Sequence, residues 1–180
     1  KALFQIGMRY SEGNGVKRDM KASAKWFAHA AEQGFAPAQY SLGSLYEKGI
    51  GVDRDLERSA GLYEQAAEQG NARAMHNLAV IKATGNPPSV KPDMDTAVSW
   101  FKQAANLGIK DSQFNLGILY GQGMGVPQNL AESYKWFALA SKTGDSDAAT
   151  KRDEVANAMD PEDLAAARKE VTAWKVASLN

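Results

Sequence analysis

Cysteine is absent from this 180-residue chain. Its absence excludes disulfide-stabilised scaffolds, thiolate zinc sites and cysteine nucleophiles, and it leaves the redox compartment open. The chain also lacks an apolar run near the ~18 residues of a membrane span, and its N-terminus shows no basic segment followed by an apolar stretch. We therefore expect the segment to fold around its own core in water.

An excess of one charge is absent too, because 21 Lys and Arg balance 21 Asp and Glu. Binding to nucleic-acid phosphates or anionic lipids draws on a basic excess, so we predict neither nucleic acid nor direct membrane binding. The sequence opens at Lys1 instead of Met and enters a periodic pattern at once, so we expect a segment of a longer protein.

An internal repeat is the main positive feature. An aromatic and alanine-rich segment that ends in glycine occurs four times: WFAHAAEQG (26–34), LYEQAAEQG (62–70), WFKQAANLG (100–108) and WFALASKTG (136–144). A second segment precedes each copy: LFQIGMRY (3–10), QYSLGSLY (39–46), MHNLAVIK (75–82) and QFNLGILY (113–120). The pattern predicts four repeats of two elements each, at 1–34, 35–70, 71–108 and 109–144.

Both elements of each repeat are predicted to be helices, because apolar and small residues recur at steps of three and four. Each second element opens with a side chain that can accept first-turn amide hydrogens: Asp19, Asp55, Asp93 and Asn129. Each is followed by a glycine that can close a helix in a left-handed conformation: Gly34, Gly70, Gly108 and Gly144. In the third repeat a proline-rich loop, Gly85 to Pro92, interrupts the pattern.

Small residues recur inside the predicted helices, at Gly7, Gly43, Ala79 and Gly117 and at Ala30, Ala66, Ala104 and Ala140. A position without side-chain bulk lets a neighbouring helix approach closely, so we interpret these residues as crossing points. The aromatic residues of the second helices, such as Phe27 and Tyr63, would then fill the core between helices.

The repeat pattern ends at Gly144. We predict one helix over 145–158 and a second that begins with Asp160 as a capping residue, has Pro161 in its first turn and runs to about Val176. Such a pair with a polar outer face covers the last apolar surface of a repeat array. Residues 145–180 are therefore predicted to be a C-terminal cap.

The pattern Ala-x-Ala-x-x-x-Leu-Gly-x-x-Tyr-x-x-Gly-x-Gly-Val, seen from Ala36 to Val52, resembles the first part of a Sel1-like repeat. The Trp-Phe-x-x-Ala-Ala-x-x-Gly segments resemble the second part. The resemblance implies an all-α, right-handed solenoid of antiparallel helix pairs that scaffolds protein complexes, without catalysis.

The segment AATKRDEVANAMDPEDLAAARKEVTAW (148–174) is similar to the end of the repeat region in the alphaproteobacterial polar development factors, the PodJ family. This resemblance implies the periplasmic part of a membrane-anchored cell-polarity factor that recruits signalling or envelope proteins.

Candidate chemistry is sparse. His29 and His76 fall at unrelated positions of their repeats, and we expect no His or acidic residue at helical ligand spacing beside either, so no metal site is predicted. Ser, His and Asp occur without a nucleophile-elbow sequence, and the Gly-x-Gly pairs lack the strand and the Gly-Lys-Ser/Thr of a phosphate loop. We predict no enzyme and no cofactor, with a hydrolase as the remote alternative.

Three neighbouring columns on the first helices form the candidate partner-binding surface, on the face predicted to be concave. They are Phe4, Tyr40, His76 and Phe114; Gln5, Ser41, Asn77 and Asn115; and Met8, Ser44, Val80 and Ile118. The first and third columns share a helical face by the i to i+4 rule. Flat rings beside amides suit an extended peptide or a partner helix, although the rings are also suited to packing one repeat against the next.

Three functions remain open at this point: a protein-interaction scaffold that binds another protein or peptide, such as an envelope signalling protein; a module that binds peptidoglycan or another glycan; and a passive spacer.

Overall fold

The computed structural model describes residues 1–86, 88–142 and 144–177. These residues form ten α-helices and no β-strand: α1 Ala2–Glu12, α2 Met20–Glu32, α3 Ala36–Lys48, α4 Leu56–Glu68, α5 Ala72–Thr84, α6 Met94–Asn106, α7 Lys110–Gln122, α8 Leu130–Ser141, α9 Ser146–Asn157 and α10 Pro161–Ala173. The all-α prediction of four helix pairs and a terminal pair is confirmed. In the proline-rich loop, Asn86 and Val90 form an isolated bridge, and Pro87 between them lies outside the described residues.

The helices belong to two compact units, Lys1–Pro92 with α1 to α5 and Asp93–Asn180 with α6 to α10. In each unit every helix packs on the next, except that α10 packs on α8, as α9 does. The two units divide within the third predicted repeat, between its helices. The division into repeats over 1–144 and a cap over 145–180 describes the sequence period and stays a prediction, and residues 143 and 178–180 of those ranges lie outside the described residues.

Local signals set the ends of the second helices as expected. The side chains of Asp19, Asp55, Asp93 and Asn129 each accept a hydrogen bond from the backbone N–H three residues later, at 3.0 Å. The glycines after these helices all have positive φ, between 75° and 89°. The four second helices therefore begin by the same local chemistry, and α2, α4 and α6 also end alike, because the residue after each glycine donates its N–H to a carbonyl of the last helical turn.

The crossing points bring first and second helices into close contact within three pairs. A Cβ added to Gly7, Gly43 or Gly117 would lie 2.5, 3.0 or 2.7 Å from the ring of Phe27, Tyr63 or Phe137. Two buried serines also donate to the carbonyls of these glycines, Ser59 to Gly43 at 2.9 Å and Ser133 to Gly117 at 2.7 Å. The glycines are therefore required for space, and the serines fix the crossing by satisfying a carbonyl.

Two details of the terminal pair differ from the prediction. The side chain of Asp160 makes no capping hydrogen bond, so α10 starts at Pro161 without that bond. The helix also ends at Ala173 instead of continuing to Val176, and the backbone turns extended at Trp174, with φ −64° and ψ 136°. The reason is a contact elsewhere in the second unit, because the N–H of Ala177 donates to the carbonyl of Asn106 at the end of α6, at 2.8 Å.

Candidate functional site

The predicted ring column lies on the first helices, where each ring is half-buried. Three of its rings pack on the buried ring of the second helix in the same repeat. The centroid distances are 5.3 Å for Phe4 and Phe27, 5.7 Å for Tyr40 and Tyr63, and 5.4 Å for Phe114 and Phe137. The rings therefore contribute to packing within the pairs and keep part of their surface exposed.

The two neighbouring columns also keep exposed surface. Gln5 is exposed, and the remaining seven residues, Ser41, Asn77, Asn115, Met8, Ser44, Val80 and Ile118, are half-buried. Nine of the twelve predicted residues belong to the first compact unit, and Phe114, Asn115 and Ile118 belong to the second. The first-helix face of the first unit therefore presents rings, amides and hydroxyls together.

A hydroxyl and a carboxylate form the centre of this face. Tyr63 on α4 is 0% exposed, and its hydroxyl donates to Oε2 of Glu47 on α3 at 2.6 Å. The side chains of Asn77 and Ser44 lie near that hydroxyl and lower its pKa. The structure therefore brings together two predicted residues, Ser44 and Asn77, with two that the sequence analysis did not assign to the site, Tyr63 and Glu47.

Glu47 was missed because nothing recurs at its position. The corresponding residues of the other repeats are Ser11, Ala83 and Gly121, so comparison by columns gave no signal. No ion pair among the described residues involves the Glu47 carboxylate. The face therefore carries a half-buried negative charge that is oriented by a neutral donor.

Burial raises the pKa of Tyr63 far above its usual range, and the hydrogen bond to Glu47 raises that pKa further. The folded protein therefore keeps this proton at pH values where the unfolded chain, with a tyrosine pKa of about 10, has released it. Because the folded state then binds more protons, the free energy of unfolding falls as pH rises above about 10.

We expect Tyr63→Phe to remove this pH dependence. Above pH 10, the free energy of unfolding of the parent should fall relative to that of Tyr63→Phe by up to about 1.4 kcal/mol per pH unit. Urea unfolding of both proteins at pH 8 and at about pH 11 measures this change. Taking the difference between the two proteins removes the contribution of all other titrating groups. A difference that is the same at both pH values would contradict the assignment.

A groove of about 860 Å³ in the first unit is lined by α2, α3 and α4. Gln39, which is 4% exposed, joins its walls: its Nε2 donates to Gln65 Oε1 at 3.1 Å, and its Oε1 accepts from Gln69 Nε2 at 2.7 Å. At the other end, Arg58 lies over the ring of Tyr46, 5.6 Å from its centroid, and pairs with Asp55 at 3.2 Å. We name this feature the α2–α4 groove.

The second-helix aromatics are mostly core residues, as predicted. Phe27, Tyr63, Phe101, Trp136 and Phe137 are buried, and Trp26 and Trp100 remain half-exposed. Trp26 and Trp100 therefore differ from the expectation that all aromatic side chains of the second helices fill the core. Their position is at the solvent edge of α2 and α6.

The histidines need one correction. Glu32 does lie at helical spacing from His29, and its Oε2 is 3.6 Å from His29 Nδ1, with both side chains exposed. Within the described residues, no three His, Cys, Asp or Glu side chains come together in a group that could hold a metal ion. In the same part of the chain, no helix combines the length and the apolar character needed to cross a membrane.

Sequence comparison matches the chain to the Sel1 repeat over residues 1–35, 36–71, 72–109 and 110–145. The chitin synthase regulator SKT5 of Saccharomyces cerevisiae is 34% identical over 37% of this chain, and that of Malassezia restricta is 32% identical over 83%. The DAP3-binding cell death enhancer 1 of Rattus norvegicus is 34% identical over 49%. This chain spans only 10 to 18% of the length of these relatives.

Two solved structures have the same fold. A protective antigen present in uropathogenic Escherichia coli strains, which displays an SLR fold, matches 96% of this chain and 38% of its own with a TM-score of 0.81 and 29% identity. A Sel1 repeat protein from Oxalobacter formigenes matches 97% of this chain and 73% of its own with a TM-score of 0.81 and 28% identity. With the family matched over four consecutive repeats, this chain belongs to the Sel1 repeat family, whose repeats mediate protein–protein interactions.

Proposed function

We propose that this chain is a non-enzymatic scaffold that binds a partner protein through the first-helix face of its first unit. The observation that carries the proposal is the Glu47 carboxylate, held by the buried Tyr63 hydroxyl among half-exposed rings and polar side chains. Rings supply contact area at low entropic cost, and an oriented carboxylate that has no ion-pair partner among the described residues selects a basic side chain. The preferred partner is therefore a peptide or helix that places a Lys or Arg opposite Glu47.

The family and the named relatives support a binding role. One relative is named a regulator and another a DAP3-binding protein, and both names describe those proteins. For this chain we propose a place in a bacterial polar development factor, as its periplasmic part, where it recruits signalling or envelope proteins. That finer role is supported by the resemblance of residues 148–174. An alkaline phosphatase fusion, which is active only after export, tests the compartment.

To test the first-helix face, the partner protein is first identified by crosslinking. A photo-crosslinking residue at Ser41 captures it in the bacterium, with the same residue at the exposed Glu64 of α4 as the control. Binding of the purified partner is then measured by calorimetry. We expect Tyr40→Ala combined with Asn77→Ala to weaken binding by at least about 2 kcal/mol, because central aromatic anchors dominate interfaces. Glu64→Lys should change it little.

The double variant also removes packing, because the ring of Tyr40 packs on Tyr63 and the side chain of Asn77 lies near the Tyr63 hydroxyl. Ser41→Arg supplies the matched variant, since it adds bulk and charge to the face without removing either contact. Unchanged affinity in a folded Ser41→Arg protein would place the partner elsewhere on the molecule.

A glycan-binding module is the second candidate, because Trp26 and Trp100 keep part of their rings exposed. Co-sedimentation with purified peptidoglycan tests it. Sedimentation that Trp100→Ala abolishes and Ser41→Arg leaves intact would favour the glycan role over the protein partner.

A further inference from the structure

Two wall positions of the α2–α4 groove carry little bulk, Ala28 on α2 and Gly61 on α4, and Leu62 lines the wall beside Gly61. A Cβ added to Gly61 would have no heavy atom within 4 Å, so the space beside it is empty. The small side chains at these two positions therefore leave room in the groove.

The corresponding positions of the second unit, between α6 and α8, hold large side chains. The repeat register places Lys102, Lys135 and Trp136 there. Trp136 is 5% exposed, and Lys135 pairs with Glu132 and with Glu170 of α10. The corresponding positions of the second unit thus carry larger side chains, and one of them, Trp136, is buried.

The chain's own C-terminal segment lies at the end of α6. Residues 174–177 follow α10, with an extended backbone at Trp174, and the N–H of Ala177 donates to the carbonyl of Asn106 at 2.8 Å. The methyl groups of Val176 lie 3.5 and 3.6 Å from the position of a Cβ on Gly108. The end of α6 and its following glycine therefore form a seat for an extended strand.

The same seat exists in the first unit without an occupant from the described residues. The register places Glu32 and Gly34 where Asn106 and Gly108 stand, and both line the α2–α4 groove. Glu32 is the last residue of α2, so its carbonyl has no partner within the helix. A Cβ on Gly34 would meet nothing within 4 Å.

We propose that the α2–α4 groove binds an extended, basic peptide segment of a partner protein. A backbone N–H of the peptide donates to the Glu32 carbonyl, and a small β-branched side chain covers Gly34, as Ala177 and Val176 do at Asn106 and Gly108. This surface is separate from the first-helix face assigned above.

The acidic side chains of the α2–α4 groove favour a basic peptide segment. Glu32 and Glu68 stand on opposite walls of the groove, and both are exposed. The cation in the lining, Arg58, is already paired with Asp55. Glu32 and Glu68 therefore leave negative charge in the groove for a Lys or Arg of the peptide.

The amides of the groove suit an extended backbone. Gln39 is buried and holds Gln65 and Gln69 in place through its two hydrogen bonds. Gln65 and Gln69 are themselves exposed, so their remaining donors and acceptors can pair with peptide groups. Fixed amides lower the entropic cost of binding.

The probe is a fluorescent peptide of residues 172–177, TAWKVA, and binding is followed by anisotropy. We expect the parent to bind it and the double variant Gly61→Lys with Leu62→Trp, which places two large side chains in the groove, to bind at least tenfold more weakly. Gly61→Ala is the control variant, because one methyl group leaves most of the space open. Peptides with Asp in place of Val176 or Glu in place of Lys175 should also bind at least tenfold more weakly.

Several results would overturn the proposal. They are no peptide binding by the parent up to about 1 mM, equal binding by the folded double variant, or indifference to both peptide changes. Analytical sedimentation of the protein alone can give a further contradicting result. If the parent forms a dimer and the double variant does not, the groove binds a second copy of this chain and not a partner protein. Ser41→Arg should leave binding of the peptide to the groove intact. A failure of the groove proposal can therefore be distinguished from a failure of the proposed first-helix face.

Discussion

We expect Tyr63→Ala to lower the free energy of unfolding by about 4 kcal/mol. The ring is 0% exposed, lies 5.7 Å from the ring of Tyr40 and fills the space above Gly43, so its loss leaves a cavity at a helix crossing. The Glu47 carboxylate also loses the hydroxyl that donates to it. Urea unfolding followed by circular dichroism at pH 7 measures the change.

Tyr46→Ala is the matched control, since Tyr46 is also a tyrosine of the first unit but is half-exposed at the α2–α4 groove. We expect it to cost less than about 1.5 kcal/mol. Equal losses in the two variants would show that Tyr63 does not form the core of the α3 and α4 crossing.

Gly117→Leu should destabilise the second unit by about 3 kcal/mol through overpacking. A Cβ on Gly117 would already lie 2.7 Å from the ring of Phe137, and that ring is held from another side by Phe114, with centroids 5.4 Å apart. The bond from Ser133 to the Gly117 carbonyl, at 2.7 Å, limits any separation of the helices. The variant is measured by thermal and urea unfolding.

Gly61→Leu makes the same substitution where space is open. Because a Cβ there contacts nothing within 4 Å, the gain in helix propensity of up to about 1 kcal/mol should remain. We expect Gly43→Leu and Ala66→Leu to lose about 1 to 3 kcal/mol by overpacking, and the exposed Lys48→Ala to stay within about 0.5 kcal/mol of the parent. If Gly117→Leu proves as stable as Gly61→Leu, the crossing-point interpretation is wrong.

Sequence alone predicted the helices well because their signals are local. A capping side chain such as Asp55 acts on an N–H three residues away, and a glycine such as Gly70 closes the helix beside it. Fourfold repetition made these short-range signals unmistakable. The close crossings at Gly7, Gly43 and Gly117 were also predictable, because small residues recur there for one steric reason.

Features that depend on contacts distant in sequence were not predicted. Glu47 joins the site only because α4 brings the Tyr63 hydroxyl to it, and no other repeat carries an acid at that position. The last turn predicted for α10 does not form, because residues 174–177 bind to the end of α6. Local propensity could not include a hydrogen-bond acceptor located some seventy residues earlier in the chain.

The sequence by itself therefore determined the class of fold, the number and ends of the repeat helices and the columns that remain on the first-helix face. Those properties follow from periodicity, capping and steric size, which act over a few residues. Only the tertiary structure decided that the ring column packs while it stays half-exposed, that Glu47 is oriented by Tyr63, and that the α2–α4 groove of the first unit is open. These depend on which side chains meet across helices, and the volume left between Ala28, Gly61 and Leu62 appears only once the helices are packed.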